Sequence, residues 1–459
     1  MPDSEDHADI IIAGASVRSL AKSALTCGLR PICIDLFCDA DLRRLISQAG
    51  LSEFHARQIS SFDQVKSQLA DVDERIPLLP VGGFEFCYDE LEQIETIRKI
   101  LAMPNHVTAE LVNPAIVFPT LKAAGIFVPD FFSLTRCAND RGSALRSNNQ
   151  PADESSACFS TWPTADNQWL KKNGLSSGGH SVHRIPHEQL QHVAAQLEPT
   201  EFLQQEIIGV PCSATFFIPQ DGAAVLLGCA IQLCGEEALN ATGFQFCGNA
   251  GPLQFHQSAI SQLQRIATCL QTHWPLTGVF GIDFIWNAGN LFVIEINPRL
   301  TASHEIHESQ HFNQPNHLQL HCSAFQSRRF DIDDSAVWQS TEDRATGDRV
   351  QCRWILYSDQ TLTVTPETTA RLAGHQRSDS QQGGHFWFSD IPEAETVIEA
   401  STPFCSINLT VDRIENLPAE WLKIQQHIAA AAPMINTHAM HEMVGRLQTR
   451  MIEIQGFCS

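Results

Sequence analysis

Residues 280–300 of the chain read FGIDFIWNAGNLFVIEINPRL, two runs of β-forming residues separated by a short turn. Side chains alternate between the two faces of a strand, so this pattern predicts an antiparallel hairpin with one apolar face. The residues expected on that face are Phe280, Ile282, Phe284 and Trp286 in the first strand and Phe292, Ile294 and Ile296 in the second. A three-residue loop from Ala288 to Asn290 would place Asp283 directly opposite Glu295, with Asn297 about 6.6 Å further along.

The polar face of this hairpin would bring two carboxylates together. At about 5 Å and an effective dielectric near 20, Asp283 and Glu295 would repel by roughly 3 kcal/mol. A divalent cation would remove that cost, and two carboxylates with the Asn297 amide are hard oxygen donors that suit Mg²⁺. Arg299, just beyond the second strand, would add a fixed guanidinium for an anion. On spacing alone, a half-exposed hairpin whose polar face meets solvent is an equally good interpretation.

The pattern on either side of the hairpin predicts a multidomain protein of mixed α/β and α+β class. DIIIAGASVRSLAKSALTCGLRPICIDLF, residues 9–37, is a βαβ unit, and a further strand before Gly82 and Gly83 completes a doubly wound parallel domain over residues 1–122. The polar stretch from Cys137 to Thr161 predicts a flexible insertion. A second aperiodic stretch separates residues 123–325 from a β-rich C-terminal part, residues 326–459, with a terminal helix from about Ala419.

The charge and cysteine content limit the partners and the compartment. The 459 residues include 52 acidic and 30 basic side chains, a formal net charge of −22. Nucleic acid and anionic lipid each require a basic surface, so we expect neither as a partner. No apolar run reaches the roughly 18 residues of a membrane span, and the acidic N-terminus does not resemble a secretory signal, which predicts a cytoplasmic protein. The 15 cysteines are odd in number and lack zinc-site spacing, so most should be buried thiols.

The segments GIDFI and LFVIEINPR resemble the metal-binding strand pair of the ATP-grasp superfamily, whose members carry an acid on one strand and Glu-x-Asn on the next. This resemblance implies that Asp283, Glu295 and Asn297 hold two Mg²⁺ ions, with Mn²⁺ as a substitute, against the phosphates of ATP. It implies catalytic roles for Arg299, near the transferred phosphoryl group, and for a lysine on an earlier strand. Residues 123–325 would then be a two-lobed ATP-grasp domain, with lobes of about 123–204 and 205–325.

WLKKNGLSSGGHSVHRI, residues 169–185, resembles the lysine strand and the phosphate-covering loop of the same superfamily. Lys171 and Lys172 are adjacent, so only one of them faces the cleft. Lys172 aligns better with the family lysine that neutralises the phosphates, but Asn173 stands where a proline is common, and both lysines stay candidates. The loop residues expected to cover the phosphates with their backbone N–H groups are Ser177, Gly178 and Gly179.

FLQQEIIGVPCSATFFI, residues 202–218, resembles the hinge strand on which adenine bonds to the backbone. The implied nucleotide contacts are Gln205, Glu206 and Ile208, with Glu206 reaching the adenine amino group or the ribose. A buried strand with one exposed glutamate is the alternative interpretation.

Within the superfamily, the chain resembles the carboligase-like group related to biotin carboxylase, which includes tyramine–glutamate ligase-type enzymes and some members in one-carbon coenzyme pathways. The resemblance implies an ATP-dependent carboxylate–amine ligase, in which ATP phosphorylates a small-molecule carboxylate and an amine attacks the acylphosphate to form an amide. A homodimer is one assembly it allows. The N-terminal domain would form a wall of the acceptor pocket with Ser16 and Arg18, and His304 and Glu305 would line the same pocket.

Three other functions fit parts of the sequence. An NAD(P)-dependent oxidoreductase would use the first βαβ unit, with Gly14 in the turn and Asp35 about 20 residues on, but AGASVRS has one glycine where G-x-G-x-x-G needs three. A zinc enzyme would use His304, His307 and His311, which have helical spacing but no H-E-x-x-H pattern, so a solvated helix face is the commoner interpretation. A non-catalytic nucleotide-binding protein would keep the fold without turnover, although the full set of metal-ligand candidates favours an enzyme.

Overall fold

The computed structural model describes residues 7–134, 163, 166–220, 222–308, 315–325, 349–375 and 385–456. The predicted insertion from Cys137 to Thr161 and the third histidine of the zinc interpretation, His311, lie outside these residues. The architecture is mixed α/β, as predicted, with a parallel N-terminal sheet and a large antiparallel sheet.

An N-terminal α/β unit begins the chain. Its sheet is parallel with the order β3-β2-β1-β4, and the strands are β1 Ile10–Gly14, β2 Pro31–Asp35, β3 Ala56–Gln58 and β4 Leu78–Pro80. Ile10 and Ile12 of β1 enter one apolar core, and Ile11 and Ala13 enter another, because helices cover both faces of the sheet. The helices of this region are α1 Arg18–Thr26, α2 Ala40–Gln48, α3 Val65–Gln68, α4 Tyr88–Glu95, α5 Asn105–Leu111 and α6 Pro114–Ala123.

A small antiparallel sheet follows and carries the lysine strand. Its order is β5-β8-β6-β7, and its elements are β5 Phe131–Phe132, β6 Trp169–Asn173, β7 His183–Ile185, helix α7 Leu190–Ala194 and β8 Glu201–Gln205. Trp169 and Leu203 on one face pack with the buried Leu190 and Ala194 of α7. The opposite face of the sheet, which carries Leu170 and Lys172, points away from α7.

The largest sheet contains the hairpin and has eight strands in the order β13-β12-β9-β10-β11-β14-β18-β16. Its strands are β9 Val210–Ile218, β10 Val225–Cys234, β11 Phe246–Gly251, β12 Gly278–Asn287, β13 Asn290–Asn297, β14 Val350–Tyr357, β16 His385–Ser389 and β18 Pro403–Val411. Three helices accompany them: α8 Gln257–His273, α9 His304–Glu308 and α10 His317–Ala324. Leu263, Ile266 and Leu270 of α8 share one core with Phe280 and Phe284 of β12.

The C-terminal part continues this sheet instead of forming a separate one, because β11 pairs with β14 and β14 with β18. Its other elements are β15 Leu362–Thr363, β17 Val397–Ile398, α11 Pro366–Ala373, α12 Leu417–Ala431 and α13 Thr437–Gly456. The terminal helix predicted from about Ala419 is thus two helices that pack on each other. In the described part of the chain, every cysteine is a free thiol, and no helix has the length and hydropathy to cross a membrane.

The hairpin has the predicted pairing of Asp283 with Glu295, but a different turn. Asn287 pairs with Asn290, so the loop is the two residues Ala288 and Gly289 and the predicted three-residue loop is wrong. A bulge in β13 restores the register, since Asp283 lies opposite Glu295 and the next residue, Phe284, lies opposite Val293.

The bulge also changes which residues of β13 are apolar-facing. Leu291 and Val293 are buried, whereas Phe292 and Ile294 are only half-buried, so the predicted face is wrong for those two positions. Ile296, beyond the bulge, is buried as predicted. The extra residue thus allows β13 to keep buried apolar side chains on α8. It also places Glu295 and Asn297 on the same face of the hairpin as Asp283.

Candidate active site

The acid pair on the hairpin forms the centre of the candidate site. Asn297 Nδ2 donates to Asp283 Oδ2 at 3.0 Å, and Gln232 Nε2, on β10, donates to Asp283 Oδ1 at 3.0 Å. Burial, followed by repulsion from Glu295, raises the pKa of Asp283 to about 7. Burial and the neighbouring carboxylate thus both disfavour a negative charge on Asp283, a cost that a nearby cation would offset.

The donors at this position fit Mg²⁺. Two carboxylates and one amide are hard oxygen ligands. The raised pKa of Asp283 shows that its charged form is disfavoured without a cation, and a divalent cation would offset that cost. Among the described residues, no group of three or more His, Cys, Asp or Glu side chains could hold an ion alone. An ion here would take its remaining ligands from Asn297, water and phosphate, which is usual for Mg²⁺. For the same reason, His304 and His307 have no zinc ligand set within the described ranges.

The two lysines of β6 point in opposite directions. Lys172 Nζ donates to Gln204 Oε1 at 2.9 Å, and although burial lowers the pKa of Lys172, Glu295 and Asp283 both act to raise it. Lys172, on the small sheet, therefore faces the acid pair of the hairpin. Lys171 instead forms an ion pair with Glu201 at 2.8 Å on the opposite face of the small sheet.

The glycine loop lies against the start of β11. The Gly178 carbonyl accepts a hydrogen bond from Phe246 N–H at 2.9 Å, and both Gly178 and Gly179 have positive φ, 70° and 75°. A Cβ on Gly179 would lie 1.9 Å from the Phe244 carbonyl oxygen, so a side chain cannot be accommodated there. Ser177 and Gly178 are exposed at the tip of the loop, where their backbone is open to a ligand.

The segment predicted to be the hinge, residues 205–208, has some of its backbone groups hydrogen-bonded to the protein. Gln205 N–H donates to Asp130 O, and Glu206 N–H donates to Gln168 O, both at 2.8 Å. Glu206 also accepts three hydrogen bonds from the Arg184 guanidinium, at 2.8, 2.9 and 3.2 Å, so its carboxylate is engaged. The Glu206 carbonyl and the Ile208 N–H make none of the hydrogen bonds found among the described residues. These two groups, two residues apart, form the acceptor and donor that an adenine edge requires, while the predicted Gln205 contributes no open N–H.

Arg299 lies beside the metal candidates at the end of β13. Its Nη2 donates to Asn297 Oδ1 at 3.4 Å, and its Nε donates to Glu85 Oε1 in the N-terminal unit. The structure thus brings Arg299, Asp283, Glu295 and Asn297 together on one side of the cleft, with Lys172 opposite.

Arg18 and Glu305, which were predicted to line the acceptor pocket, belong to a network of buried ion pairs that also includes Asp41. Arg18 contacts Asp390 at 2.8 Å and Glu305 at 3.1 Å, and Arg353 contacts the same two acids at 2.6 and 3.4 Å. Burial opposes the charged form of Asp390, but Arg18 and Arg353 lower its pKa below the usual range. Ser16 makes none of the described side-chain hydrogen bonds, and His304 Nδ1 bonds the Thr301 carbonyl at 2.9 Å.

The residues required by the oxidoreductase interpretation have structural roles. Asp35 accepts three backbone N–H bonds, from Val17 at 2.6 Å, Phe37 at 2.7 Å and Cys38 at 2.8 Å, so its carboxylate closes the surrounding turns and is not open to a ribose. A Cβ on Gly14 would lie 2.5 Å from the Val81 carbonyl oxygen, so this glycine allows β1 to approach β4. The structural contacts of Gly14 and Asp35 therefore account for both residues without a bound dinucleotide.

Three residues of the site were missed from the sequence. Gln232 is a polar position between buried neighbours in the apolar strand VLLGCAIQLC, which was a usable signal, whereas Gln204 in EFLQQ stands in no such alternation. Glu85 had no such signal, because it lies 214 residues before Arg299 in the sequence.

Residues 142–303 match the family model for the ATP-grasp domain, a stretch that contains Lys172, the glycine loop, the hinge and all three metal candidates. No curated protein sequence matches the chain at a significant level.

Solved structures match almost the whole chain. The carboxyaminoimidazole ribonucleotide synthase of Aspergillus clavatus, complexed with ATP, is 11% identical, covers 93% of this chain and 99% of its own, and has a TM-score of 0.58. The biotin carboxylase domain of Hydrogenobacter thermophilus 2-oxoglutarate carboxylase, a dimer bound to MgADP, ADP and bicarbonate, is 12% identical over 96% and 99%, with a TM-score of 0.60. The L-amino acid ligase of Bacillus licheniformis is 13% identical over 92% and 98%, with a TM-score of 0.54. These likenesses establish the fold of the chain.

Proposed function

We propose that this chain, which carries an ATP-grasp domain and has the fold of ATP-grasp ligases and carboxylases, is itself an ATP-dependent carboxylate–amine ligase. The observation that carries the proposal is the position of Lys172, which faces Asp283 and Glu295 from the opposite sheet. A cation beside the two carboxylates and an ammonium group across from them would together hold a polyphosphate between the lobes.

The reaction would proceed in two transfers. ATP gives its γ-phosphoryl group to a carboxylate oxygen of the substrate, which releases ADP and leaves an acylphosphate. The amine then attacks the carbonyl carbon, the C–O bond to phosphate breaks, and the nitrogen loses a proton to give the amide. When bound, Mg²⁺ would supply charge neutralisation for the phosphates.

The residues of the chain would align the groups and balance their charge, without a covalent step on the protein. Lys172 and Arg299 would neutralise the phosphoryl group from two sides, and the backbone of the glycine loop would cover it. Glu206 O and Ile208 N–H would hold the adenine. Exclusion of water by the loop would protect the acylphosphate from hydrolysis.

We propose only the chemical class of the substrates. A small carboxylate and an amine fit a ligase of this fold, and a role in one-carbon coenzyme biosynthesis follows from the resemblance of the sequence to the carboligase-like group. A two-ion site, substitution by Mn²⁺, a homodimer, a cytoplasmic location and the domain limits at residues 122 and 325 remain predictions from the sequence.

The proposal can be tested by measuring ADP release by purified protein with Mg²⁺–ATP and pools of amino acids, amines and pterin- or furan-type carboxylates. We expect Asp283→Asn and Glu295→Gln each to lower turnover by at least about 10²-fold, because each removes a ligand charge that the ion requires. Asp412→Asn, which changes an exposed acid of the C-terminal part, is the matched control and should keep full activity. Unchanged turnover in the two site variants would contradict the metal assignment. Reduction or oxidation of a nicotinamide cofactor without ADP release would support the oxidoreductase instead.

A further inference from the structure

Glu85 is a buried acid of the N-terminal unit with both carboxylate oxygens engaged. Its side chain is 6% exposed, one oxygen accepts from Arg299 Nε, and the other accepts from Gly83 N–H at 2.5 Å. A carboxylate this buried is costly unless it is paired and hydrogen-bonded, and Glu85 meets both conditions through these two partners. Its position is therefore fixed from both sides.

The turn before Glu85 is itself held against the acceptor end of the N-terminal sheet. Ala15 N–H, just after β1, donates to the Gly82 carbonyl at 2.9 Å. Gly83 has φ of 98°, a conformation that a residue with a side chain would adopt only with strain. Ligands of parallel α/β sheets bind at the carboxyl ends of the strands, which is where this turn lies. The turn thus connects the predicted acceptor wall to Glu85.

The contacts of Arg299 leave it partly available. A guanidinium has five N–H donors, and in Arg299 three of them bond protein: Nε to Glu85, Nη1 to the Leu300 carbonyl at 3.3 Å and Nη2 to Asn297 at 3.4 Å. The two remaining N–H groups, one on each terminal nitrogen, have a direction set by the bond at Nε.

We propose that Glu85 is a positioning residue that orients the Arg299 guanidinium toward the phosphoryl group during transfer, an inference that rests on the proposed ligase function. Glu85 draws the guanidinium away from its other nearby acid, Asp283, whose charge Arg299 also stabilises. Without Glu85, Arg299 would turn toward the metal ligands, and its two N–H groups would no longer meet the developing charge. A misplacement of about 1 Å in such a group can cost about 10²-fold in rate.

Glu85→Gln tests the proposal, because the amide keeps the shape of the side chain but loses the charge and one acceptor. We expect kcat for ADP release to fall by about 10- to 100-fold, while KM for ATP stays within about twofold, since the adenine and lysine contacts are elsewhere. Glu85→Asp, which keeps the charge on a shorter arm, should recover part of the loss. Asp71→Asn is the matched control, because it removes a carboxylate from another arginine, Arg57, in the same N-terminal unit.

A second measurement does not depend on turnover. In protein labelled with ¹⁵N at the arginine Nε, the Arg299 signal, identified by its loss in Arg299→Lys, should shift or broaden in Glu85→Gln and stay unchanged in Asp71→Asn. An unshifted signal would overturn the proposal whatever the activity. An unchanged kcat would also overturn the proposal, because it would show that Glu85 has no role in turnover. A KM for ATP that rises by the same factor as kcat falls would overturn it as well, because it would indicate a general loss of structure. Absence of ADP release in the wild type, with a shifted signal, would count against the ligase function and leave the orienting contact established.

Discussion

The two neighbouring lysines provide a comparison of identical side chains in opposite environments. We expect Lys172→Met to lower kcat/KM for ATP by about 10²-fold, since it removes the cation that faces the acid pair. Lys171→Met should change it by less than about threefold, because Lys171 is one-third exposed and pairs with Glu201 away from the cleft. Steady-state kinetics of the two variants, with ADP affinity measured by calorimetry, checks the difference. Equal losses would contradict the assignment of Lys172 rather than Lys171 to the phosphates.

The sequence limited this choice but could not make it. Alternation along a strand says that only one of Lys171 and Lys172 faces the cleft, and it does not say which. The pairing of Lys172 with Phe202 on β8 decides, because it fixes which face of β6 packs on α7. That pairing depends on residues some 30 positions away. The sequence could therefore predict which residues belong to the site. It could predict which way their side chains point only where a local pattern, such as the hairpin, fixed the partner strand.

At the scale of one element, the turn between β12 and β13 contains a residue in an unfavourable conformation. Ala288 and Gly289 both have positive φ, 45° and 88°, which is the geometry of a two-residue hairpin turn of type I′. Alanine in this region costs roughly 1 kcal/mol, whereas asparagine tolerates it. Ala288→Asn should therefore raise the free energy of unfolding by about 0.5–1 kcal/mol without a change in ATP turnover.

Urea titration of the variant against the wild type checks this prediction. Ala370→Asn, at an exposed position in the middle of α11, is the control and should lower stability by about 0.5 kcal/mol, since asparagine is a poorer helix former. Equal effects at both positions would contradict the assigned turn. The three-residue loop was predicted because the two apolar faces coincide in a regular hairpin only with an odd-numbered loop, and three residues is a common length that contains the needed glycine. A bulge achieves the same alignment after a two-residue turn, and nothing in the local sequence distinguishes the two solutions.

At the scale of the whole molecule, a closed circuit of buried charges joins three parts of the chain. Arg18 comes from the N-terminal unit, Glu305 from α9, Arg353 from β14, and Asp390 from the residue just after β16. Each of these four charges contacts at least two of opposite sign, so removing one would leave its buried partners incompletely neutralised, and the circuit therefore favours a single arrangement of the three parts. That arrangement also lets Glu85 of the N-terminal unit meet Arg299 of the hairpin. No sequence pattern could have shown these contacts, since their partners are 287 and 372 positions apart.

A buried histidine, His321, makes a second contact between separate parts of the chain, and this contact makes the stability of the protein depend on pH. His321, on α10, is 2% exposed, accepts a hydrogen bond from Val279 N–H at Nδ1 and donates from Nε2 to the Leu101 carbonyl, both at 3.0 Å. It thus connects the large sheet to the N-terminal unit. This pattern requires the neutral imidazole, because a protonated Nδ1 cannot accept from Val279. Burial accordingly lowers the pKa of His321 to about 4.

The sign of the pH effect follows from this depressed pKa. In the unfolded chain His321 should titrate at about 6.5, so below that pH the unfolded state takes up the proton first, and stability is lost as pH falls toward 4. His321→Gln, which retains a donor and an acceptor but does not titrate, should therefore remove on the order of 3 kcal/mol of pH dependence between about pH 6.5 and 4. Urea unfolding of both proteins across that window measures it, with His438→Gln, at a histidine whose side chain is 84% exposed, as the control. All other titratable groups are shared by the two proteins, so their contributions cancel in the difference. Parallel curves of unfolding free energy against pH for wild type and His321→Gln would mean that the ring is not held neutral between Val279 and Leu101.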